Sequence, residues 1–186
     1  MRRTFIAVKI EKTELIGQFI QEIRSALNKE KISWVDPDIM HITLKFLGDT
    51  EDDEIPVISR KLAEICSRYK QFPVTPGGLG VFPGLANPRV LWIGLEGTEA
   101  LSDIRNEIET FTADLGFLTD SKKFSPHLTI GRVKYLRNDI LMQSMVELAA
   151  DISFERQMIQ EVVFYESILN SEGPEYLVLS KAVLGV

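Results

Sequence analysis

Residues 41–48 read HITLKFLG, and residues 127–133 read HLTIGRV. These two stretches contain both histidines of the chain, and in each of them a threonine follows the histidine by two positions, with apolar residues in between and after. Alternation of this kind is typical of a β-strand with one buried face. We therefore predict two strands, one presenting His41 with Thr43 and the other His127 with Thr129, on the face opposite their apolar residues. The two histidines are 127 − 41 = 86 residues apart.

The same offset of 86 residues relates the other predicted elements. Alternating apolar residues predict strands over 4–10, 41–48, 72–82, 90–95, 127–133, 157–169 and 176–183. Apolar residues at helical spacing predict helices over 13–29, 51–70, 99–115 and 138–149. Thr50 and Thr98 are candidate caps of the second and third helices. Adding 86 to the elements of the first half places nearly every one of them on an element of the second half.

This repeat defines the expected fold. One structural unit used twice, and packed about a pseudo-two-fold axis, brings equivalent strands beside each other. We therefore expect residues 1–186 to form a single bilobal α+β domain. It would have two antiparallel sheets with helices packed outside, and a central cleft lined by the two His-x-Thr strands.

The composition is that of an ordinary soluble globular chain, with 45% hydrophobic and 26% charged residues. No apolar run approaches the roughly 18 residues of a membrane span. The net charge of −6 argues against a protein that coats nucleic acids, because such proteins neutralise phosphates with Lys and Arg. The single cysteine, Cys66, falls on the predicted helix 51–70 and is expected to be a packed thiol. A cytoplasmic monomer is the expected state.

Two imidazoles that face one cleft are suited to acid and base catalysis, because the ordinary pKa of imidazole, near 6.5, allows both roles at neutral pH. One ring can take a proton from water while the other protonates a leaving oxygen. Threonine hydroxyls can donate hydrogen bonds to the non-bridging oxygens of a phosphodiester. Two histidines without a nearby cysteine leave a zinc site short of ligands unless carboxylates complete it, so no metal or other cofactor is expected.

The two motifs resemble those of the 2H phosphoesterases, and the residues around them resemble the branch of RNA 2′,3′-cyclic phosphodiesterases, also called 2′-5′ RNA ligases. The matching stretches are RTFIA at 3–7, HITLKFLG at 41–48, PRVLW at 88–92 and FSPHLTIGR at 124–132. The resemblance implies metal-independent opening of a 2′,3′-cyclic phosphate on RNA ends or small nucleotides, which leaves a 2′-phosphate. It also implies that His41 is the proton donor, that His127 is the proton acceptor, and that Thr43 and Thr129 hold the phosphate.

Three further side chains lie close to the motifs in the sequence. Arg132 matches the arginine that follows the second family motif and is expected to bind substrate, although simple alternation would place it on the face opposite His127. A bulge at Gly131 would re-aim it. Lys45 shares the His41 face by alternation and is a candidate phosphate ligand or a solvated strand-end lysine, whereas Phe46 is expected to pack in the core.

Two other functions remain open on the sequence alone. The same site could join RNA ends through a 2′-5′ linkage, since the chemistry is reversible. Alternatively, the protein could be a module that binds RNA ends or nucleotides and uses its histidines only to grip phosphate. The sequence does not identify the RNA substrate or a base preference.

Overall fold

The structure is a computed structural model and describes residues 1–171 and 173–185. The strands are β1 (Arg2–Lys9), β2 (Lys31–Trp34), β3 (His41–Thr50), β4 (Phe72–Phe82), β5 (Val90–Glu96), β6 (Leu128–Tyr135), β7 (Gln157–Ile159), β8 (Glu161–Asn170) and β9 (Gly173–Val183). The helices are α1 (Glu14–Ala26), α2 (Glu54–Cys66), α3 (Glu99–Asp114) and α4 (Asp139–Leu148), and a short 3-10 turn spans Pro37–Ile39.

The strands form two antiparallel sheets. The first sheet has the order β3-β1-β8-β9, and the second has the order β2-β6-β5-β4-β7. Helices α2 and α3 contact strands of the first sheet, and α4 contacts β4 of the second. Helix α1 reaches the second sheet, since the Arg24 guanidinium lies 5.4 Å from the centroid of the Trp34 ring at the end of β2. One continuous cluster of buried apolar side chains includes residues of both sheets and of the helices. The two antiparallel sheets with helices packed against them confirm the predicted α+β class.

Each sheet draws strands from both halves of the chain. Strand β8, from the second half, pairs with β1 in the first sheet, and β4, from the first half, pairs with β5 in the second sheet. The bounds of the elements overlap at the expected offset: adding 86 to β1, α1 and β3 gives 88–95, 100–112 and 127–136, which coincide with β5, α3 and β6. The two histidine strands, β3 and β6, therefore occupy matching places in different sheets.

Besides shifts of a few residues at many element ends, the structure differs from the sequence prediction in three larger features. Helix α2 begins at Glu54 because β3 continues through Thr50, whose hydroxyl lies 2.7 Å from that of Thr4 and does not cap the helix. The predicted strand 157–169 is two strands, β7 and β8, which pair with different sheets. Strand β2 was not predicted.

Cys66 is fully buried, as expected, and burial raises the pKa of its thiol to about 12. Within the described residues, no helix is long and apolar enough to cross a membrane.

Candidate active site

His41 is the first residue of β3 and is partly buried. Its Nδ1 lies 2.9 Å from the carbonyl oxygen of Ile39. A carbonyl only accepts hydrogen bonds, so Nδ1 carries a proton and the opposite nitrogen, Nε2, holds the lone pair of the neutral ring. Phe5 and Tyr176 pack against the imidazole, with ring centroids 5.0 and 5.2 Å away. The ring is therefore held in one tautomer and one orientation.

His127 directly precedes β6 and repeats this arrangement. Its Nδ1 lies 2.6 Å from the carbonyl oxygen of Ser125, again two residues earlier in the chain. The rings of Phe82 and Trp92 lie beside it, at centroid distances of 5.0 and 6.3 Å. Both imidazoles of the protein thus bind a backbone carbonyl through Nδ1 and leave Nε2 for chemistry.

The surroundings of His41 disfavour its charged form. The pKa of His41 is lowered from its ordinary value of 6.5, first by burial and then by the positive charges of Arg132 and His127, while the bond to the Ile39 carbonyl opposes the shift. Strands β3 and β6 also contact each other, so the two histidine strands meet where the two sheets approach. We call the space beside this junction the cleft.

The two threonines lie on the same sheet faces as the histidines. Thr43 is paired with Ala7 of β1, and Thr129 is paired with Trp92 of β5. Both threonines are partly buried. Each hydroxyl is therefore one strand alternation away from the imidazole of its own motif.

A β-bulge follows each threonine at the same relative position. In β3 the pairing shifts so that Leu44 is the extra residue, and in β6 the extra residue is Ile130, which is 130 − 44 = 86 positions later. The bulge predicted near Gly131 is thus present. It pairs Arg132 with Val90 and returns Arg132, which is exposed, to the face that carries Thr129.

The bulge in β3 overturns two predictions. Because Leu44 is the extra residue, Lys45 pairs with Ile6 and turns to the buried face, where only 4% of it is exposed. Its Nζ donates to Glu109 Oε2 at 2.7 Å, so the expected place of Lys45 beside His41 as a phosphate ligand is wrong. Phe46 is instead 63% exposed, with its ring centroid 5.9 Å from that of Phe5, so the expectation that it packs in the core is also wrong.

Three of the aromatic residues around the histidines, Phe5, Phe82 and Tyr176, were not identified as site residues from the sequence. Phe5, Phe82, Trp92 and Tyr176 come from β1, β4, β5 and β9. Phe5 and Trp92 lie within the stretches that resemble the family, and this resemblance could have indicated that they belong to the site. Nothing local to Tyr176 indicated that β9 would reach His41.

Among the residues that the structure describes, no group of three or more His, Cys, Asp or Glu side chains is placed to hold a metal ion. The two motif segments carry two imidazoles, two threonine hydroxyls and one guanidinium. Such a set binds an anion and moves protons around it.

Comparison with known proteins agrees with this fold. The sequence model of the 2′-5′ RNA ligase superfamily matches residues 12–161. An RNA 2′,3′-cyclic phosphodiesterase of Aquifex aeolicus is 34% identical over 173 residues, which are 89% of this chain and 92% of that protein. The protein of the same name from Thermotoga maritima is also 34% identical, over 95% of this chain and 92% of its own length.

Among solved structures, the protein TT0787 of Thermus thermophilus has the same fold, with a TM-score of 0.79 at 23% identity over 98% of this chain and 97% of that one. The fold and the sequence comparisons define the chain as a 2H phosphoesterase. The chain belongs to the 2′-5′ RNA ligase superfamily, and the resemblance inferred from the two motifs is confirmed.

Proposed function

We propose that this protein hydrolyses the 2′,3′-cyclic phosphate at RNA ends or on small nucleotides and leaves a 2′-phosphate. The relatives named RNA 2′,3′-cyclic phosphodiesterase support the reaction. The observation that carries the proposal is that both imidazoles have the same hydrogen bond, from Nδ1–H to the carbonyl two residues earlier, and belong to strands that contact each other.

Because Nδ1 of each ring is bound to a carbonyl oxygen, Nε2 is the atom that takes up or releases a proton, and its orientation is fixed. A neutral ring protonated at Nδ1 can accept a proton at Nε2, and a charged ring can donate one from the same atom. Acid and base on two sides of one phosphorus atom suit an in-line displacement. The protein then needs no nucleophile of its own, because water attacks directly.

In the proposed reaction, His127 Nε2 takes a proton from water as the water oxygen bonds to phosphorus. The bond between phosphorus and the 3′ oxygen breaks, and His41 Nε2–H protonates that oxygen. Thr43, Thr129 and Arg132 bind the non-bridging oxygens, whose negative charge is stabilised in the transition state. Products are a 2′-phosphate and a 3′-hydroxyl, and proton exchange with solvent restores both rings.

The lowered pKa of His41 bears on its role as donor. In the free protein, burial and the charges of Arg132 and His127 favour the neutral ring. A bound cyclic phosphate places a negative charge beside Arg132 and offsets that effect, since an opposite charge nearby favours the charged imidazolium. The donor form of His41 is therefore favoured when substrate is present.

Phe46 gives the cleft an exposed aromatic face on the His41 side. Its ring centroid lies 5.9 Å from that of Phe5, which in turn contacts His41. Bases stack on such rings without a requirement for sequence. We propose that the base of the terminal nucleotide stacks on Phe46.

Ligation is a second reaction of the same site, in which a 5′-hydroxyl of another RNA replaces water. Water is present at far higher concentration, so hydrolysis dominates in solution. A third possibility is a module that only binds phosphate. It would use the same residues but would not convert the substrate.

We also propose that residues 1–186 form one domain descended from two copies of a unit, acting as a monomer. The overlap of element bounds at an offset of 86, and the matching bulges at Leu44 and Ile130, support the duplication. The exchange of strands between the sheets would make either half unable to fold alone.

The proposal is tested by incubating the protein in excess EDTA with a short RNA that ends in a 2′,3′-cyclic phosphate, followed by phosphorus NMR. The His41→Ala and His127→Ala variants are run in parallel. Conversion to a 2′-phosphate by the wild type alone is expected. An unchanged substrate that still binds tightly would favour the binding module, and turnover restored only by added metal would favour metal catalysis.

A further inference from the structure

Lys45 belongs to a buried ionic network that the proposed reaction does not use. Its Nζ donates to Glu109 Oε2 on α3 at 2.7 Å and to the carbonyl oxygen of Leu118 at 2.5 Å. Arg105, one helical turn before Glu109, donates to Glu109 Oε1 at 2.9 Å. Lys45 and Arg105 are 4% and 8% exposed. Charged groups are rarely buried to this extent, so the network requires an explanation.

The network holds the segment that leads into His127. Residues 117–126 connect α3 to the second motif and contain no helix or strand. Lys45 binds this segment at Leu118, and the Arg105 guanidinium lies 5.3 Å from the centroid of the Phe124 ring. Phe124 is followed by Ser125, whose carbonyl oxygen binds His127. The contacts of Lys45 and Arg105 therefore hold this segment as far as Phe124, one residue before the carbonyl that orients the His127 ring.

The segment that leads into His41 is held in a corresponding way by the other histidine strand. There, Val35 N donates to the carbonyl oxygen of Ile130 in β6 at 3.0 Å, and Trp34 packs against Gly131. Gly131 occupies the place in β6 that Lys45 occupies in β3, since each residue directly follows the bulge. The segment before His127 is thus bound to β3, and the segment before His41 is bound to β6.

The two attachments differ in kind. The His41 segment includes β2, whose backbone pairs with β6. The His127 segment has no such strand, and charged side chains supply the attachment that backbone pairing supplies on the other side. Loss of the Lys45 charge would remove a direct bond to this segment and leave Glu109 in a poorly solvated place.

We propose that Lys45 is a positioning residue for His127, acting with Glu109 and Arg105 to fix residues 117–126 so that the second imidazole meets the first at a set distance. The activity arm of its test rests on the proposed phosphodiesterase function. Lys45 is four residues from His41 in the chain, yet its effect falls on the other histidine.

The test is the Lys45→Met variant, which keeps the length of the side chain and removes its charge. Because the chain has two histidines, nitrogen NMR of histidine-labelled protein shows two imidazoles. We expect the His127 ring signals to shift or broaden while those of His41 stay in place. We also expect kcat to fall about 10- to 100-fold with KM changed less than about 3-fold, because small misplacement of a catalytic group mainly affects turnover.

Two further variants keep the outcome decisive. Lys61→Met removes a lysine from an exposed ion pair with Glu64 and should match the wild type. The double variant Lys45→Met/Glu109→Gln removes both opposite charges and replaces the single variant if that one does not fold. Its His127 ring signals should shift or broaden in the same way. Unchanged His127 signals in a folded variant, or changes confined to His41, would overturn the proposal. If the wild type hydrolyses no substrate, the proposed function is wrong. The His127 ring signals of the Lys45→Met variant then still show whether Lys45 positions His127.

Discussion

Gly80 on β4 determines where the indole ring of Trp92 lies, and that ring is one of the two beside His127. A Cβ built at Gly80 would lie 2.1 Å from Trp92 Cζ2 and 2.2 Å from Cη2. Ordinary contact begins at 3.4 Å, so in Gly80→Ala the two groups must separate by 3.4 − 2.1 = 1.3 Å. The indole cannot move freely, because the Phe82 ring lies beside it with its centroid 5.0 Å away.

Two effects of Gly80→Ala follow from this displacement. Overpacking costs about 1–3 kcal/mol, which for a chain of this size corresponds to a fall in Tm of about 2–12 °C. The moved indole also displaces Phe82 and His127, and a shift of about 1 Å at a catalytic group lowers turnover by up to about 100-fold. We therefore expect kcat to fall about 10- to 100-fold.

The assay compares thermal unfolding and hydrolysis of a 2′,3′-cyclic nucleotide for the wild type, Gly80→Ala and Gly84→Ala. Gly84 is a matched control, because a Cβ there meets no atom within 4 Å and its φ lies outside the left-handed region. Gly84→Ala should behave as the wild type in both measurements. If Gly80→Ala does the same, the indole does not support His127 as described.

Three other measurements address separate parts of the site. An NMR titration should place the pKa of His41 below 6.5, and Arg132→Gln should raise it toward 6.5 because a positive charge is removed; a wild-type value at or above 6.5 would contradict the electrostatics described here. Phe46→Ala should raise KM about 5-fold or more through lost base stacking, while Tm changes by less than about 2 °C because the side chain is exposed; an unchanged KM would remove Phe46 from the substrate site. Cys66 should react with a thiol reagent only in denaturant, since burial raises its pKa to about 12, and rapid reaction of the native protein would be inconsistent with that burial.

The sequence predicted the elements well because their signals are local. Alternation marked both histidine strands, and apolar stripes marked the four helices. Strand order was not predictable in the same way, because the pairing of β1 with β8 joins residues far apart in the chain, such as Thr4 and Glu166. No local pattern records such a partner.

The two bulges show how a residue type decides what can be predicted. Gly131 follows the bulge in β6, and a glycine inside a strand is a recognised mark of such irregularity, so Arg132 could be placed in advance. The bulge at Leu44 has no glycine beside it. Alternation was therefore continued through it, which reversed the faces of Lys45 and Phe46.

In the proposed reaction, water activated between two imidazoles attacks the cyclic phosphate. The most direct test is a reaction in water enriched in ¹⁸O, with EDTA present and with a second RNA that bears a free 5′-hydroxyl, analysed by mass spectrometry of the RNA products. We predict a 2′-phosphate that carries one ¹⁸O atom with the wild type, and no labelled product with His41→Ala or His127→Ala. A joined RNA without label, or labelled product from both variants, would contradict two-histidine hydrolysis.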